Sequence, residues 1–279
     1  MTSIARPFTL LGILAAFLLW LPGCVSTPNY LALTGPYYMG DYAPTSRSDD
    51  GLFSVVTWNI KYSNNVDAAI RTLQETPELQ TLDAVLLQEM DTEEVDRIAR
   101  AMKWNYIYYP ASIHPQHQRD FGEAILSPWP MTEAKKLILP NYSPRNGQIR
   151  IAVRVRLQMP MAQPVVYNIH TETAWMSPEN RLQQVDFLLA DTESVQGQVL
   201  IGGDFNTITP WEQRILVGMM AQANFDWATQ HAGATVNPFG AQAPMDAIFV
   251  RGMTTMDATV IPAEQVSDHH PLWALLATD

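Results

Sequence analysis

Cysteine is nearly missing from this chain: among 279 residues there is one, Cys24. A lone thiol excludes an intramolecular disulfide, so stability has to come from core packing. Charge is scarce as well, at 16% of residues, and it leans acidic, with 17 Lys and Arg against 28 Asp and Glu for a formal net charge of -11. That balance excludes a broad basic face for gripping nucleic acid, but not an enzyme that works through a metal and a few local cations. Internal repeats and low-complexity blocks are absent. The N-terminal apolar run, Phe8 to Leu21, is about 14 residues long, short of the roughly 20 that a membrane-spanning helix needs. What is plentiful is apolar residues, 47% of the chain, enough to bury a full core in one large domain.

Arg6, the short apolar run and the sequence Leu21-Pro22-Gly23-Cys24 together have the layout of a secretory signal. The last four residues resemble the lipobox of bacterial lipoproteins, in which cleavage before the cysteine accompanies lipid attachment to its sulfur. Pro22 departs from the small residue usual there, and an uncleaved signal anchor with an incidental cysteine is the alternative. The expected organisation is a signal peptide over 1–23, lipidation at Cys24, a tether over 24–51 rich in Pro, Gly, Ser and Tyr, and a catalytic domain over 52–279. The tyrosines of the tether could pack on the domain or sit at a lipid interface. No Asp follows Cys24, which under this resemblance implies a lipid-anchored protein of the cell envelope, at the outer membrane or in the periplasm of a cell with two membranes.

Within the domain, Phe53–Asn59, Ala84–Glu89, Asn105–Tyr109, Glu123–Leu126, Ile149–Leu157, Val165–His170, Ala247–Arg251 and Leu272–Leu276 read as strands from their β-branched and aromatic content. Helices are expected from Val66 to before Pro77, from the Asp91 cap through Met102, from Ser177-Pro178 to about Ala190, and from Thr209-Pro210 to about Ala223. Strands that alternate with helices and then run in succession predict an α/β (α+β) layered domain.

The chain's chemistry gathers at strand ends. Gln198 to Thr207 reads Gln-Val-Leu-Ile-Gly-Gly-Asp-Phe-Asn-Thr, an apolar run halted by two glycines and followed by Asp204 and Asn206. If the strand continues through Phe205, both polar side chains leave on one face, where they could ligate a hard cation or meet a phosphate. A plain strand-end turn has the same composition. Asn59, Glu89, His170, Asp246, Asp268 and His269 also sit at or beside the ends of apolar runs. Six such ends in one chain argue for a site.

These segments, in this order, resemble the endonuclease/exonuclease/phosphatase superfamily, which includes pancreatic deoxyribonuclease, repair endonucleases of the exonuclease III type and neutral sphingomyelinases. The resemblance is carried by Thr57-Trp58-Asn59-Ile60, Leu87-Gln88-Glu89, Phe121 to Ser127, Asn168-Ile169-His170-Thr171, Gly203-Asp204-Phe205-Asn206, Met245 to Val250 and Ser267-Asp268-His269-His270-Pro271. It implies a four-layer α/β sandwich, with two mainly antiparallel sheets face to face and helices outside. It also implies a Mg²⁺ site, Mn²⁺ being possible, at Glu89, Asn59 and Asp268. Asp204 and Asn206 would handle water and phosphate, His269 with Asp246 behind it would supply the imidazole, and His170 would be a second histidine. The substrate implied is a phosphoester, in nucleic acid or a lipid head group, hydrolysed without an obligate protein partner. A phosphomonoesterase and a non-enzymatic binding or scaffold lipoprotein are the remaining readings.

Other positions carry weaker expectations. Glu123 replaces a common Asn of the family and is expected near the site mouth. No acid in Arg145 to Gln148 is available to orient His170, unless Glu123 does so. Arg150, Arg154 and Arg156 alternate along a strand, either binding phosphate or forming a solvated face. Arg119, in the loop with His114 and His117, could reach substrate or be a surface feature. Trp175 and Met176 are expected in the core rather than at an apolar rim, Arg181 and Gln184 on an exposed helix face, His231 in a structural role and His270 outside catalysis.

Overall fold

The computed structural model describes residues 27–44, 48–236 and 242–278. In chain order its strands are β1 (Tyr38–Gly40), β2 (Leu52–Asn59), β3 (Ala84–Met90), β4 (Asn105–Ile113), β5 (Asp120–Ser127), β6 (Met131–Ile138) and β7 (Ile151–Leu157). They continue with β8 (Val165–His170), β9 (Val199–Asp204), β10 (Asp226–Trp227), β11 (Asp246–Arg251), β12 (Thr254–Val260) and β13 (Leu272–Ala277). The helices are α1 (Val66–Glu75), α2 (Thr92–Met102), α3 (Pro178–Thr192) and α4 (Pro210–Gln222). One sheet has the order β1-β4-β5-β3-β2-β13-β12 and the other β10-β11-β9-β8-β7-β6. Among the described residues only β2/β3 and β8/β9 pair in parallel, so the expected four-layer sandwich of mainly antiparallel sheets is the observed fold.

The layers follow from strand periodicity. Phe53 and Val55 of β2 point between the sheets, where they meet Val153 and Val155 of β7 and Ile248 of β11. Val56 and Trp58 point the other way, under α1 and α2, while Tyr167, Ile169 and Ile201 of the second sheet lie under α3 and α4. Strands covered on both faces need apolar residues at every position, which explains why these segments read as runs rather than alternations.

A polar bridge interrupts the core between the sheets. The Asn168 amide donates to the Leu87 and Ala124 carbonyls, each at 2.8 Å, and its oxygen accepts from Gln88 Nε2 at 2.7 Å. This occurs where the β3–β5 register shifts between Leu87 and Met90. The bulge also places Glu89 at φ 60°, a backbone setting rarely taken by residues other than glycine, and turns its side chain toward the end of the sandwich.

Within the segment expected as a tether, residues 27–44 pack on the domain, the first of the two placements open to its tyrosines. Strand β1 pairs with β4, Tyr30 donates to Asp120, Tyr42 donates to Asp96, and the buried Lys136 ammonium donates to the Tyr30 and Gly35 carbonyls at 3.0 Å each. Tyrosine hydroxyls and one enclosed cation anchor a stretch whose composition alone suggested freedom. Residues 1–26, including Cys24, lie outside the described residues.

Replacing Asn168 with Leu removes the only side-chain donor shown for the Leu87 and Ala124 carbonyls among the described residues. The expected cost is about 3 kcal/mol, from two buried acceptors at roughly 1–3 kcal/mol each. Urea unfolding should read it as a lower midpoint at unchanged slope; an unchanged midpoint would show that the bridge contributes no stability.

Candidate active site

Because β2 and β3 run parallel, Asn59 and Glu89 leave the first sheet at one end. The parallel pair β8 and β9 brings His170 opposite Asp204 in register, and antiparallel β11 adds Asp246 across from Asp204. His269 arrives just before β13; Trp58 Nε1 donates to its carbonyl at 3.0 Å, and its own N–H donates to Ser267 Oγ at 3.2 Å. A cleft of about 500 Å³ opens there, lined by Asn59, Glu89, His170, Asp204, Asn206, Asp268 and His269. Asp246 stands behind His269, its Oδ2 bound to His269 Nδ1 at 2.8 Å. The structure therefore brings every expected catalytic and metal-site residue together, with Asp246 supporting from behind.

Two glycines make this packing possible. A Cβ on Gly203 would lie 1.9 Å from the Ile169 carbonyl oxygen, and one on Gly202 would lie 2.5 Å from Leu86 Cδ1. Strand geometry does not continue through Phe205 as expected: β9 ends at Asp204, and Asn206 adopts φ 52°. Asp204 Oδ1 accepts from the Asn206 N–H at 2.9 Å, a local turn that brings both residues to the cleft and leaves Phe205 in the core against Phe249.

Asp204 is the hub. Its Oδ2 accepts from Asn59 Nδ2 at 3.0 Å and lies 3.7 Å from both His170 Nε2 and His269 Nε2. Burial raises its pKa to about 7, with the His269 charge opposing. Burial works against an imidazolium at His269, but Asp246 and Asp204 outweigh it and raise the pKa to about 10. His170 goes the other way: burial, Arg150 and His269 hold its pKa well below the ordinary value. Two histidines therefore flank one carboxylate, cationic on one side and neutral on the other at pH 7, a separation of acid and base roles set by environment.

Glu89 and Asp268 suit a hard cation. Burial raises the Glu89 pKa, Asp268 adding to the rise against Arg150, and no Lys or Arg lies within ion-pair distance of Glu89 among the described residues. Asp268 carries the only such partner of the two, Lys61 Nζ at 2.7 Å. Two acids lining one cleft supply a sparse oxygen donor set of the kind that suits magnesium, which keeps several of its waters. Asn59 contributes less directly, since its Oδ1 accepts from the Lys61 N–H and its amide nitrogen is committed to Asp204. Asp204, Asp246 and His269 also have ligand atoms within 4.8 Å of one another. Their 2.8 Å Asp246–His269 hydrogen bond makes them a proton-holding set rather than an ion cage.

Several expectations need correction. Glu123 is buried rather than at the mouth, with Oε1 3.5 Å from His170 Nδ1, so it supplies the acid that residues 145–148 lack. Arg150 is buried in the cleft wall, whereas Arg154 and Arg156 pair with Asp191 and Glu133 on the outside. Trp175 is 63% exposed and lines the cleft, with Met176 beside it. Arg181 and Gln184 are buried because they staple the loop that carries Trp175: Arg181 pairs with Glu212 and donates to the Thr173 and Met176 carbonyls, and Gln184 accepts from the Glu172 N–H. Arg119 binds Asp91 and the Tyr62 carbonyl, a structural role. His231 is exposed, which lends no support to the structural role expected of it, while His270 Nδ1 accepts from the Ala263 N–H, away from the cleft lining. Lys61 and Tyr62, both in the cleft lining, had no strand-end signal to mark them; their adjacency to Asn59 was the available clue.

In metal-free protein, Asp246→Asn should move the His269 titration well below 10, read from imidazole ¹⁵N shifts. The folded pKa of about 10 exceeds the ordinary 6.5. The wild-type stability advantage should therefore be complete below pH 6.5 and vanish as pH rises through 10. An unmoved titration would remove Asp246 as the source of the charge.

The chain is similar to known proteins in sequence and in fold. A UPF0294 protein of Yersinia pseudotuberculosis is 26% identical over 246 residues, covering 84% of this chain and 85% of that protein. Among solved structures, D. rerio TDP2 complexed with a single-strand DNA product superposes with TM-score 0.66 at 17% identity, covering 81% of this chain and 99% of that one. An endonuclease/exonuclease/phosphatase from Beutenbergia cavernae gives TM-score 0.64 at 18% identity, covering 81% and 71%. The profile of the Endonuclease/Exonuclease/phosphatase family matches residues 56–269, a span running from the strand that carries Asn59 to His269 itself. With the sandwich, the strand-end cleft and that match in agreement, this chain belongs to the endonuclease/exonuclease/phosphatase family.

Proposed function

We propose that the protein is a Mg²⁺-dependent phosphodiesterase of nuclease type, Mn²⁺ being able to replace Mg²⁺, and that it acts outside the cytoplasm. The observation that carries this reading is Asp204 Oδ2 lying 3.7 Å from two histidines of opposite protonation. A carboxylate with a pKa of about 7 is matched to taking a proton from water at neutral pH. Water attacks phosphorus in line, its proton passes to Asp204, and the bond to the leaving oxygen breaks, that oxygen keeping the electron pair and taking a proton from solvent. The His269 imidazolium, held by Asp246, donates through Nε2 to an oxygen on which charge develops. Asn206 orients the loop after β8 by accepting from the Ala174 N–H at 3.2 Å. Neutral His170, oriented by Glu123, fills the opposite side of the site. Glu89 and Asp268 would hold the cation, which when bound offsets phosphoryl charge as a Lewis acid.

A second reading is a phospholipid or sphingomyelin phosphodiesterase, favoured by the exposed Trp175 at the mouth and the lipid anchor proposed at Cys24. Nicking of supercoiled DNA by the full chain, with Mg²⁺ and with chelator, separates the two. Expected is metal-dependent nicking, lowered about 10²–10³-fold in His269→Ala, and a higher metal requirement in Glu89→Gln. Nicking that survives in folded His269→Ala would overturn the assignment of roles. Absent nicking with release of phosphocholine would favour the lipid reading. The anchor has its own check: Cys24→Ser should abolish incorporation of labelled palmitate, and retained label would place the lipid elsewhere or remove it.

A further inference from the structure

One wall of the cleft has no part in the proton transfers. Tyr62 stands at its mouth, ring-stacked on His117 at 4.4 Å and tilted against His114 at 4.6 Å. His114 meets Phe121 at 5.3 Å, and Phe121 meets His170 at 5.9 Å. A ladder of rings thus descends from the mouth to the reacting centre. Tyr62 is built into place: its φ is 56°, and Arg119 donates to its carbonyl at 2.9 Å. Burial and Glu89 push its hydroxyl pKa up to about 12, so it presents a neutral ring.

The cleft lining also includes Trp175. Its loop is held by buried Arg181 at the Thr173 and Met176 carbonyls, by Asn206 at the Ala174 N–H, and by Arg150 at Thr173 Oγ1. A large ring 63% exposed on a loop secured at four points is pre-organised for a ligand. Arg145 is close enough to influence Tyr62 and forms no ion pair with any described residue. Among the described residues, the aliphatic lining consists of Pro115, Ala174, Met176, Val236 and Met245. Flat rings next to a cation suit a π-faced group joined to a phosphate better than an acyl chain.

Resting on the phosphodiesterase reading above, we propose that Trp175 and the Tyr62 ladder form a clamp for an unpaired nucleobase. The phosphodiester delivered to Asp204 and His269 then lies in single-stranded nucleic acid or at a frayed strand end. A base within a duplex keeps both faces stacked on its neighbours and cannot lay one on this wall without unstacking.

The test measures binding apart from turnover. Fluorescence anisotropy of a labelled single-stranded oligothymidylate at low salt is read on full-chain His269→Ala, alone and with Trp175→Ala, Trp175→Phe or Tyr62→Ala, each checked for an unchanged Tm. A duplex and an abasic strand of equal length are the comparisons. Expected are a loss of about tenfold with Trp175→Ala and with Tyr62→Ala, near-complete rescue by Trp175→Phe, and no penalty from either Ala substitution on the abasic strand. Equal affinity for base-bearing and abasic strands, indifference to both Ala substitutions, or no measurable binding overturns the clamp. Base-dependent binding without metal-dependent cleavage by the wild type would uphold the clamp and sink the phosphodiesterase reading. Cleavage of duplex and single strand alike, with base-independent binding, would do the reverse.

Discussion

The contact between Gln88 and Asn168 fixes the relation of the two sheets at the end where chemistry gathers. Each sheet contributes half of the site: Asn59 and Glu89 from one, His170, Asp204 and Asp246 from the other. Apolar packing holds sheets together but is tolerant of sliding, because it has no direction. A buried amide-to-amide bond of 2.7 Å, with both Asn168 hydrogens spent on carbonyls of the opposite sheet, has direction and register. It sits two residues before His170 and one before Glu89, so the groups that must face each other are set by the bond that keeps the sheets from slipping.

Charge in the cleft is arranged by the same logic. Five acids, Glu89, Glu123, Asp204, Asp246 and Asp268, lie with the His170 and His269 imidazoles within a small volume, and in water they would titrate near their ordinary values. Burial raises Asp204, while Asp246 behind His269 lifts that ring far above neutral. Glu123, also raised well above the ordinary value by burial, faces a histidine that Arg150 and burial keep neutral. A difference of a few ångströms in the placement of Arg150 and Asp246 is thus enough to give two histidines on one carboxylate opposite states.

Much of this was legible in the sequence, and the reasons differ by element. Central strands such as Ala84–Met90 and Val199–Asp204 are covered on both faces, so their apolar runs stand out and their polar ends mark the site. The edge strands Met131–Ile138 and Thr254–Val260 escaped notice because an edge shows solvent a face of Lys, Glu, Thr and Asp and carries little apolar signal. The fixed position of residues 27–44 was hidden for another reason: tyrosine hydroxyls finding Asp96 and Asp120 far along the chain leave no local period. Arg181 and Gln184 read as surface residues because long polar side chains usually are. Only the fold reveals backbone carbonyls that need a buried donor.

An acidic protein of this family poses an apparent contradiction, since its substrates carry phosphate and its net charge is -11. Screening resolves most of it. At physiological salt the field of distant surface carboxylates decays within about 8 Å, so a phosphate in the cleft responds to what lines it. Lys61, Arg145, Arg150 and the His269 imidazolium lie there against Glu89 and Asp268, two acids whose mutual repulsion a divalent cation would cancel. The global charge then bears on release rather than on capture. A product that leaves the local cations meets a repelling surface, and a long polyanion finds no second foothold. Under the proposed nuclease reading, such a surface would favour turnover of short or frayed stretches over retention of long duplex, because binding energy would come from a few aromatic faces and one metal-side phosphate instead of a basic groove.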